Sequence, residues 1–489
     1  MQGLLKLGVV LVACLLTVML VRALDARRLP DLSVWHQDPF QQEYSLFTCP
    51  EVETWADYLE CEQLVFEELD ERIVEVQASS DGGDNETLSR FNPRAPSYPE
   101  AAPTNWNRSF EWSVEEPWGA VVLVHGLTDS PYSVRALGEL FRDAGLAVVA
   151  PRMPGHGLAP AGLLEAKWTD WLAVLEMAVR HAKAQVGEGR PLVLVGYSNG
   201  GTLVTKYTAN AVLRGDSAAI PDSLYLFSPA IGLTRFAAFA NWHRLFANIP
   251  YFEKFRWESV LPEYDPYKYN SFAKIAGHET WALTRQLDRD LETLSRTDKM
   301  HQVPPILAFQ SLVDSTVLTE SVVGGLFERL KGPNNELVLF DLNRYGRLDD
   351  LIRSPCDSLL QRLTESPPSN YILTLLTNRD ETSREVVEHR FAPGWESVEP
   401  EPLGLAWPEG VYSLSHVAIP FPPDDPLYGN RHPDSGESFI LGNLAPRGEK
   451  KVLTVSVEQL MRLRYNPFYS VLSQRLEQSL MQLRAAHEP

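Results

Sequence analysis

The chain has 489 residues, 44% of them hydrophobic and 22% charged, and carries a formal net charge of -20. This composition excludes a disordered chain and allows one large domain or about two to three small ones. The acidity excludes a nucleic-acid binder, because phosphates would be repelled rather than neutralised.

The run "LGVVLVACLLTVMLV", Leu7 to Val21, carries no charge and is bounded by Lys6 and Arg22. With those two side chains snorkelling, a usable membrane span from Leu4 to Leu24 is expected. Val21-Arg22-Ala23 fits a small-x-small cleavage site poorly, so residues 1–24 read as an uncleaved signal-anchor. Arg22, Arg27 and Arg28 follow the span, which by the positive-inside rule favours a cytoplasmic main domain. Cys49 and Cys61 flank a short acidic, aromatic segment and could pair in an oxidising compartment, which favours the other side. The expectation is a single N-terminal pass with the main domain outside the cytoplasm. A cytoplasmic-facing domain, or secretion after cleavage, is the alternative. The four cysteines, Cys14 and Cys356 included, are too few for a disulfide framework and lack the spacing of a zinc site.

Residues 25–117 form an acidic extension with one amphipathic stretch from Trp55 to Val76 and a Pro-rich linker, "NPRAPSYPEAAP". The texture then changes. "AVVLVHG", "LAVVAPRMPGHG", "PLVLVGYSNGG", "SLYLFSPA", "PPILAFQSLVDS" and "NELVLFDL" are short apolar runs ending in turn residues. Helical patterns lie between several of them: Tyr132 to Ala144, Trp168 to Ala184 and Glu320 to Leu330. Strands alternating with helices predict a mostly parallel sheet covered on both faces, with ligands beyond the C-terminal strand ends.

Two insertions interrupt the alternation. Residues 232–302 open with an aromatic-rich segment containing Phe236, Phe239, Trp242, Phe246, Tyr251, Phe252, Phe255 and Trp257, expected as a helical cap. Residues 343–410 are more polar and hold one strand-like run, "YILTLLT". The core is thus expected in two parts, 118–231 and 303–489. A closing helix is expected after Asn466 and Pro467.

The chemistry concentrates at three strand ends. Gly196-Tyr197-Ser198-Asn199-Gly200 lies between an apolar strand and a helical pattern. Glycines there let helix and strand approach closely and lift Ser198 clear as a nucleophile; the bland alternative is an ordinary tight turn. The Asn199 N–H, at the new helix start, can face a developing oxyanion. In "VVLVHGLTDSP", Gly126 lets the chain turn so that the Leu127 N–H points into the same place.

"HGLTDSP", "PRMPGHG" and "GYSNGGT", in that order, resemble the α/β-hydrolase superfamily, and within it the monoacylglycerol-lipase, serine-aminopeptidase and bacterial carboxylesterase group. The resemblance covers Ala120 to Pro229 well and Pro304 to Leu342 fairly. The expected fold class is therefore α/β, an α/β-hydrolase fold with a cap insertion and an N-terminal membrane segment. The superfamily's order of serine, acid, histidine implies Asp314 as the acid, with Asp341 as fallback. For the histidine, His389, His416 and His432 all remain. "SLSHVAIPF" makes His416 the choice, after a detour of some seventy residues that the superfamily pattern lacks. His156 in "PGHG" is expected to order a loop beside the site.

The resemblance implies a serine hydrolase of carboxylic esters, a carboxylesterase or acylglycerol lipase, with Ser198, Asp314 and His416 as triad and Leu127 and Asn199 as oxyanion donors. The cap aromatics suit an apolar acyl chain, or equally plain core packing. A serine aminopeptidase-like enzyme, an acyltransferase and a non-catalytic binding module are the alternatives. With no histidine/carboxylate cluster at metal spacing and no phosphate loop, neither metal nor nucleotide cofactor is expected. The expected partners are a small-molecule or lipid ester and, through the N-terminal segment, a membrane.

Overall fold

The apolar runs assemble into one ten-stranded sheet with the order β1-β3-β2-β4-β5-β8-β9-β10-β11-β12. Its strands are β1 (Phe110–Trp112), β2 (Gly119–Val124), β3 (Leu146–Ala150), β4 (Leu192–Tyr197) and β5 (Ser223–Phe227), then, past a small ribbon of β6 (Trp257–Ser259) and β7 (Phe272–Ala273), β8 (Ile306–Ser311), β9 (Glu336–Phe340), β10 (Ile372–Asn378), β11 (Glu385–Phe391) and β12 (Glu401–Ala406). The computed structural model describes residues 28–79, 87–232, 253–332, 334–346, 357–366, 370–393, 399–430 and 452–487, with short or isolated stretches at 6–10, 13–14, 17, 21, 368, 439–442, 444 and 447.

From β3 to β10 every neighbouring pair is parallel. β1 closes one edge antiparallel to β3, and β11 and β12 extend the other antiparallel. Parallel strands need both faces covered, and the side chains alternate accordingly. Ala120, Val122 and Val124 of β2 enter one core cluster, with the helices Trp168–Val186, Asn199–Arg214 and Lys274–Arg296. Val121 and Leu123 enter the other, with Arg135–Asp143 and Tyr469–His487. Each fully buried Val or Leu contributes roughly 1.5–3 kcal/mol. The Asn466 side chain accepts from the Phe468 N–H (2.9 Å) just ahead of the last helix.

β2 lies between β3 and β4, so the strand order reverses there. Loops leaving a sheet at such a reversal diverge and open a crevice at the C-terminal ends.

In the second insertion the structure departs from the pattern. Residues 385–391, whose charges resemble a helix face, form β11, and 401–406 form β12. Pairing with β10 decides this, since Val386 and Val387 are buried, Glu388 turns to Arg475 (2.6 Å) and Glu385 and Arg390 are exposed.

The N-terminal extension is packed onto the core, not strung beside it. Its helix Trp55–Leu69 continues through a π-helical turn, Asp70–Val74. Glu43 forms a two-pronged ion pair with the buried Arg152 (2.8 and 2.9 Å) and also accepts from the Gly155 N–H. His36 donates through Nε2 to Ser271 Oγ (3.0 Å) while its Nδ1 accepts from the Ser33 N–H. Cys49 and Cys61 are free thiols. Cys61 donates to the Gln42 carbonyl, and burial pushes its thiol up to about 12.

No helix among the described residues is long and apolar enough to cross a membrane. This overturns the expected single N-terminal pass and the placement of the main domain across a membrane. Of the Leu4 to Leu24 stretch, residues 4–5, 11–12, 15–16, 18–20 and 22–24 lie outside the described residues, as do Cys356 and six of the cap aromatics, Phe236, Phe239, Trp242, Phe246, Tyr251 and Phe252. The other two, Phe255 and Trp257, are buried, and Trp257 packs edge-on against His36.

Candidate active site

Ser198 follows the last residue of β4 and caps the helix Asn199–Arg214 with φ 54° and ψ −116°. This is a strained conformation for a residue with a Cβ, and it persists because both sides are packed against backbone. A Cβ at Gly196 would meet Gly200 O and Gly201 Cα at 2.5 Å, and one at Gly200 would meet Val124 O at 2.2 Å. The Ser198 N–H donates to Phe227 O (2.9 Å), tying the turn to the end of β5.

Asp314 sits in the turn after β8. Its Oδ1 accepts from the N–H groups of Thr316 (2.8 Å) and Val317 (2.9 Å), and its Oδ2 accepts from Gln310 Nε2 (3.1 Å) and His416 Nδ1 (2.7 Å). Burial opposes ionisation of this carboxyl, but His416 and the two backbone donors outweigh it and hold the group below its usual value. His416 opens a short 3₁₀ turn and reaches Ser198 Oγ with Nε2 at 3.0 Å. An ionised Asp314 fixes the proton on Nδ1, which leaves Nε2 free to accept from the serine hydroxyl. Tyr197 packs its ring on His416, centroids 5.6 Å apart.

The turn expected to supply an oxyanion donor is equally close. A Cβ on Gly126 would lie 3.1 Å from Ser198 Cβ, so the Leu127 segment runs alongside the serine. Asn199 is the first helical residue, where an N–H has no intrahelical carbonyl to bond. His125 is a satisfied structural histidine: Nε2 accepts from the Met153 N–H (3.0 Å), so Nδ1–H donates to Gly126 O (2.8 Å). His156 packs edge-on to His125 and Trp171 in the loop that Trp171 Nε1 holds through Pro154 O (3.0 Å).

The described fallback candidates, Asp341 and His389, are engaged with other partners. Asp341 is buried but committed to Arg344 (2.7 Å) and Thr377 (2.7 Å). His389 lies on β11 and stacks on Phe391, and His432 is outside the described residues. Sequence reading missed Gln310, which reaches Asp314 from four residues upstream along β8, as well as Asp129 and Lys268. Asp129 lies against the oxyanion turn, its Oδ2 2.6 Å from a Cβ on Gly126, and pairs with Lys268 (3.0 Å). The signal for Asp129 was present in "HGLTDSP", but nothing local tied it to a lysine far along the chain. Among the described residues no group of three or more His, Cys, Asp or Glu side chains could hold a metal.

A cavity of about 130 Å³ is walled by Asp129, which lies at the Gly126 turn, by Val417, the residue after His416, by Phe421 and by six residues between Leu261 and Asn270. Residues 261–270 are tied to the oxyanion turn by a hydrogen bond from the Tyr269 N–H to Thr128 O (2.8 Å).

Sheet order, strained turn and crevice together make the chain resemble the α/β-hydrolase superfamily, and within it the monoacylglycerol lipase, serine aminopeptidase and bacterial carboxylesterase group. The family described as serine aminopeptidase, S33, matches residues 115–271. A thermostable monoacylglycerol lipase of Bacillus sp. (strain H-257) is 37% identical over 89 residues, 18% of this chain and 34% of that protein. A carboxylesterase of Bacillus subtilis (strain 168) is 29% identical over 96 residues, 20% of this chain and 38% of that protein. The chain thus spans little more than a third of the curated relatives it matches. Among solved structures, a monoacylglycerol lipase from Paleococcus ferrophilus aligns at TM-score 0.35 with 22% identity, covering 48% of this chain and 88% of that one.

Proposed function

We propose that this protein is a serine hydrolase of carboxylic esters that works through an acyl-enzyme on Ser198. The observation that carries the reading is the unbroken line from Asp314 through His416 to Ser198, with contacts of 2.7 and 3.0 Å. Ser198 Oγ attacks the ester carbonyl as His416 Nε2 takes its proton. The tetrahedral oxyanion is held by the Leu127 and Asn199 N–H groups. His416 then protonates the departing alkoxide, leaving the acyl group on Ser198. Water, deprotonated by His416, attacks that ester, and collapse returns the acid and a protonated Ser198 Oγ. Asp314 keeps Nδ1 protonated and stabilises the imidazolium at each stage.

The similarity to a lipase and a carboxylesterase supports the ester class. The apolar wall of the cavity, with Leu261, Val417 and Phe421, supports a substrate with a hydrocarbon portion. An aminopeptidase reading needs a carboxylate free to hold a substrate amine. Asp129 and Asp265, which line this cavity, are already paired with Lys268 (3.0 Å) and Arg464 (3.4 Å).

The test is labelling with a fluorophosphonate probe. Wild type should label, and Ser198→Ala and His416→Ala should not. A folded wild type that stays unlabelled removes the serine-hydrolase reading.

A further inference from the structure

The cavity that Asp129 and Val417 join to the Ser198 site is not built like a simple acyl slot. It is lined by three cations, Lys268, Arg462 and Arg464, and two carboxylates, Asp129 and Asp265. Three positive against two negative charges leave one cation in excess, and the pairings identify it. Lys268 neutralises Asp129 at 3.0 Å, and Arg464 neutralises Asp265 at 3.4 Å. Asp265 is further saturated by the Tyr428 hydroxyl (2.6 Å) and the Tyr267 N–H (3.1 Å). Arg462 has no carboxylate partner among the described residues, and its hydrogen bond there goes to Thr316 Oγ1 (3.2 Å). Thr316 belongs to the turn that holds Asp314, so this solvent-facing contact ties Arg462 to the turn that carries the acid. Its charge also acts on Tyr197, the residue just before the nucleophile.

We propose that this cavity binds an anionic group of the ester substrate, a carboxylate or phosphate, with Arg462 as its principal ligand. The inference rests on the serine-hydrolase reading and narrows its substrate class. A planar guanidinium with unused donors matches a carboxylate or phosphate in two-pronged geometry. Lys268 spends one of its three donors on Asp129 and can add another. The apolar wall opposite takes the hydrocarbon between the anion and the scissile bond. The preferred substrate is then an ester with an acidic group a short chain from the reacting carbonyl, on either its acid or its alcohol side.

Two matched pairs test this and separate the two sides. Mono-para-nitrophenyl adipate against methyl para-nitrophenyl adipate places the charge on the acid side. Para-butyryloxybenzoate against its methyl ester places it on the alcohol side. In wild type, kcat/KM for the acid should exceed that for its neutral ester by about tenfold or more in one pair, the value of a charge-assisted contact. The preference should shrink as salt is raised. Arg462→Gln should bring the ratio near one, and Arg462→Lys should retain an intermediate ratio, with fluorophosphonate labelling reporting that each variant's site is intact. A wild type that turns over the neutral esters with ratios near one in both pairs overturns the anion subsite and leaves the hydrolase reading standing. So does a preference that persists unchanged in Arg462→Gln. No turnover together with no labelling overturns the hydrolase reading and this inference with it.

Discussion

Asp314 and His416 are 102 positions apart in the chain, yet their side chains meet at 2.7 Å. The intervening segment holds β9 to β12, which widen the sheet at one edge before the chain returns to the crevice. If Asp314 orients His416, Asp314→Asn should keep the shape and place the wrong tautomer opposite the serine. Turnover should fall by about 10³–10⁴, with little change in KM. Asp341→Asn should instead lower thermal stability through Arg344 and Thr377 while the folded protein still labels with fluorophosphonate. Comparable activity loss in both variants would remove the assignment of the acid.

The turn at Ser198 leaves no room for a methyl group. Gly200→Ala would drive its Cβ into two carbonyl oxygens, Val124 O at 2.2 Å and His125 O at 2.6 Å, neither of which can rotate away. A stability loss of about 3 kcal/mol or more is expected, at the upper end for overpacking. Urea unfolding of wild type and variant measures it, and a loss under 1 kcal/mol would show that helix and strand can separate cheaply.

Glu43 and Arg152 join the extension to the loop that carries His156. Arg152 is fully buried, so Glu43→Gln leaves a guanidinium facing too few acceptors and should cost about 3–5 kcal/mol. Adding Arg152→Met removes that charge but leaves the buried Glu62 carboxylate, 3.9 Å away, without its cation, so the double variant should recover only part of the cost. A double variant no more stable than the single one would contradict this account.

His36 predicts an acid-side weakness. Burial lowers its pKa from 6.5 to about 4, so the folded state favours neutral imidazole and the unfolded state binds the proton more readily. Its contribution is complete above pH 6.5 and is lost as pH falls toward 4, amounting to roughly 2 kcal/mol by pH 5. Burial also lowers His156, to about 4, and His125, so the three act in the same direction. Melting temperatures from pH 7.5 to 5 should fall less steeply in His36→Gln than in wild type. Parallel curves would exclude the mechanism.

The parts legible in the chain were those coded by neighbours. Leu192 to Gly201 contain their own strand, turn and helix start, so the close packing of Gly196 and Gly200 could be read from ten consecutive residues. The continuous apolar runs announced strands buried on both faces for the same local reason. β11 was not legible because its charges suit a helix face as well as an edge strand, and only pairing with β10 separates the two. Among three downstream histidines, His416 was chosen from its Ser-Leu-Ser-His-Val context by resemblance, but its meeting with Asp314 depends on how far β10 to β12 carry the chain before it turns back. The charge pairs were equally hidden. Glu43 with Arg152, Asp129 with Lys268, and the unmatched Arg462 depend on which distant side chains share a desolvated space. Local pattern dictates elements; burial in the folded chain decides which charges find partners.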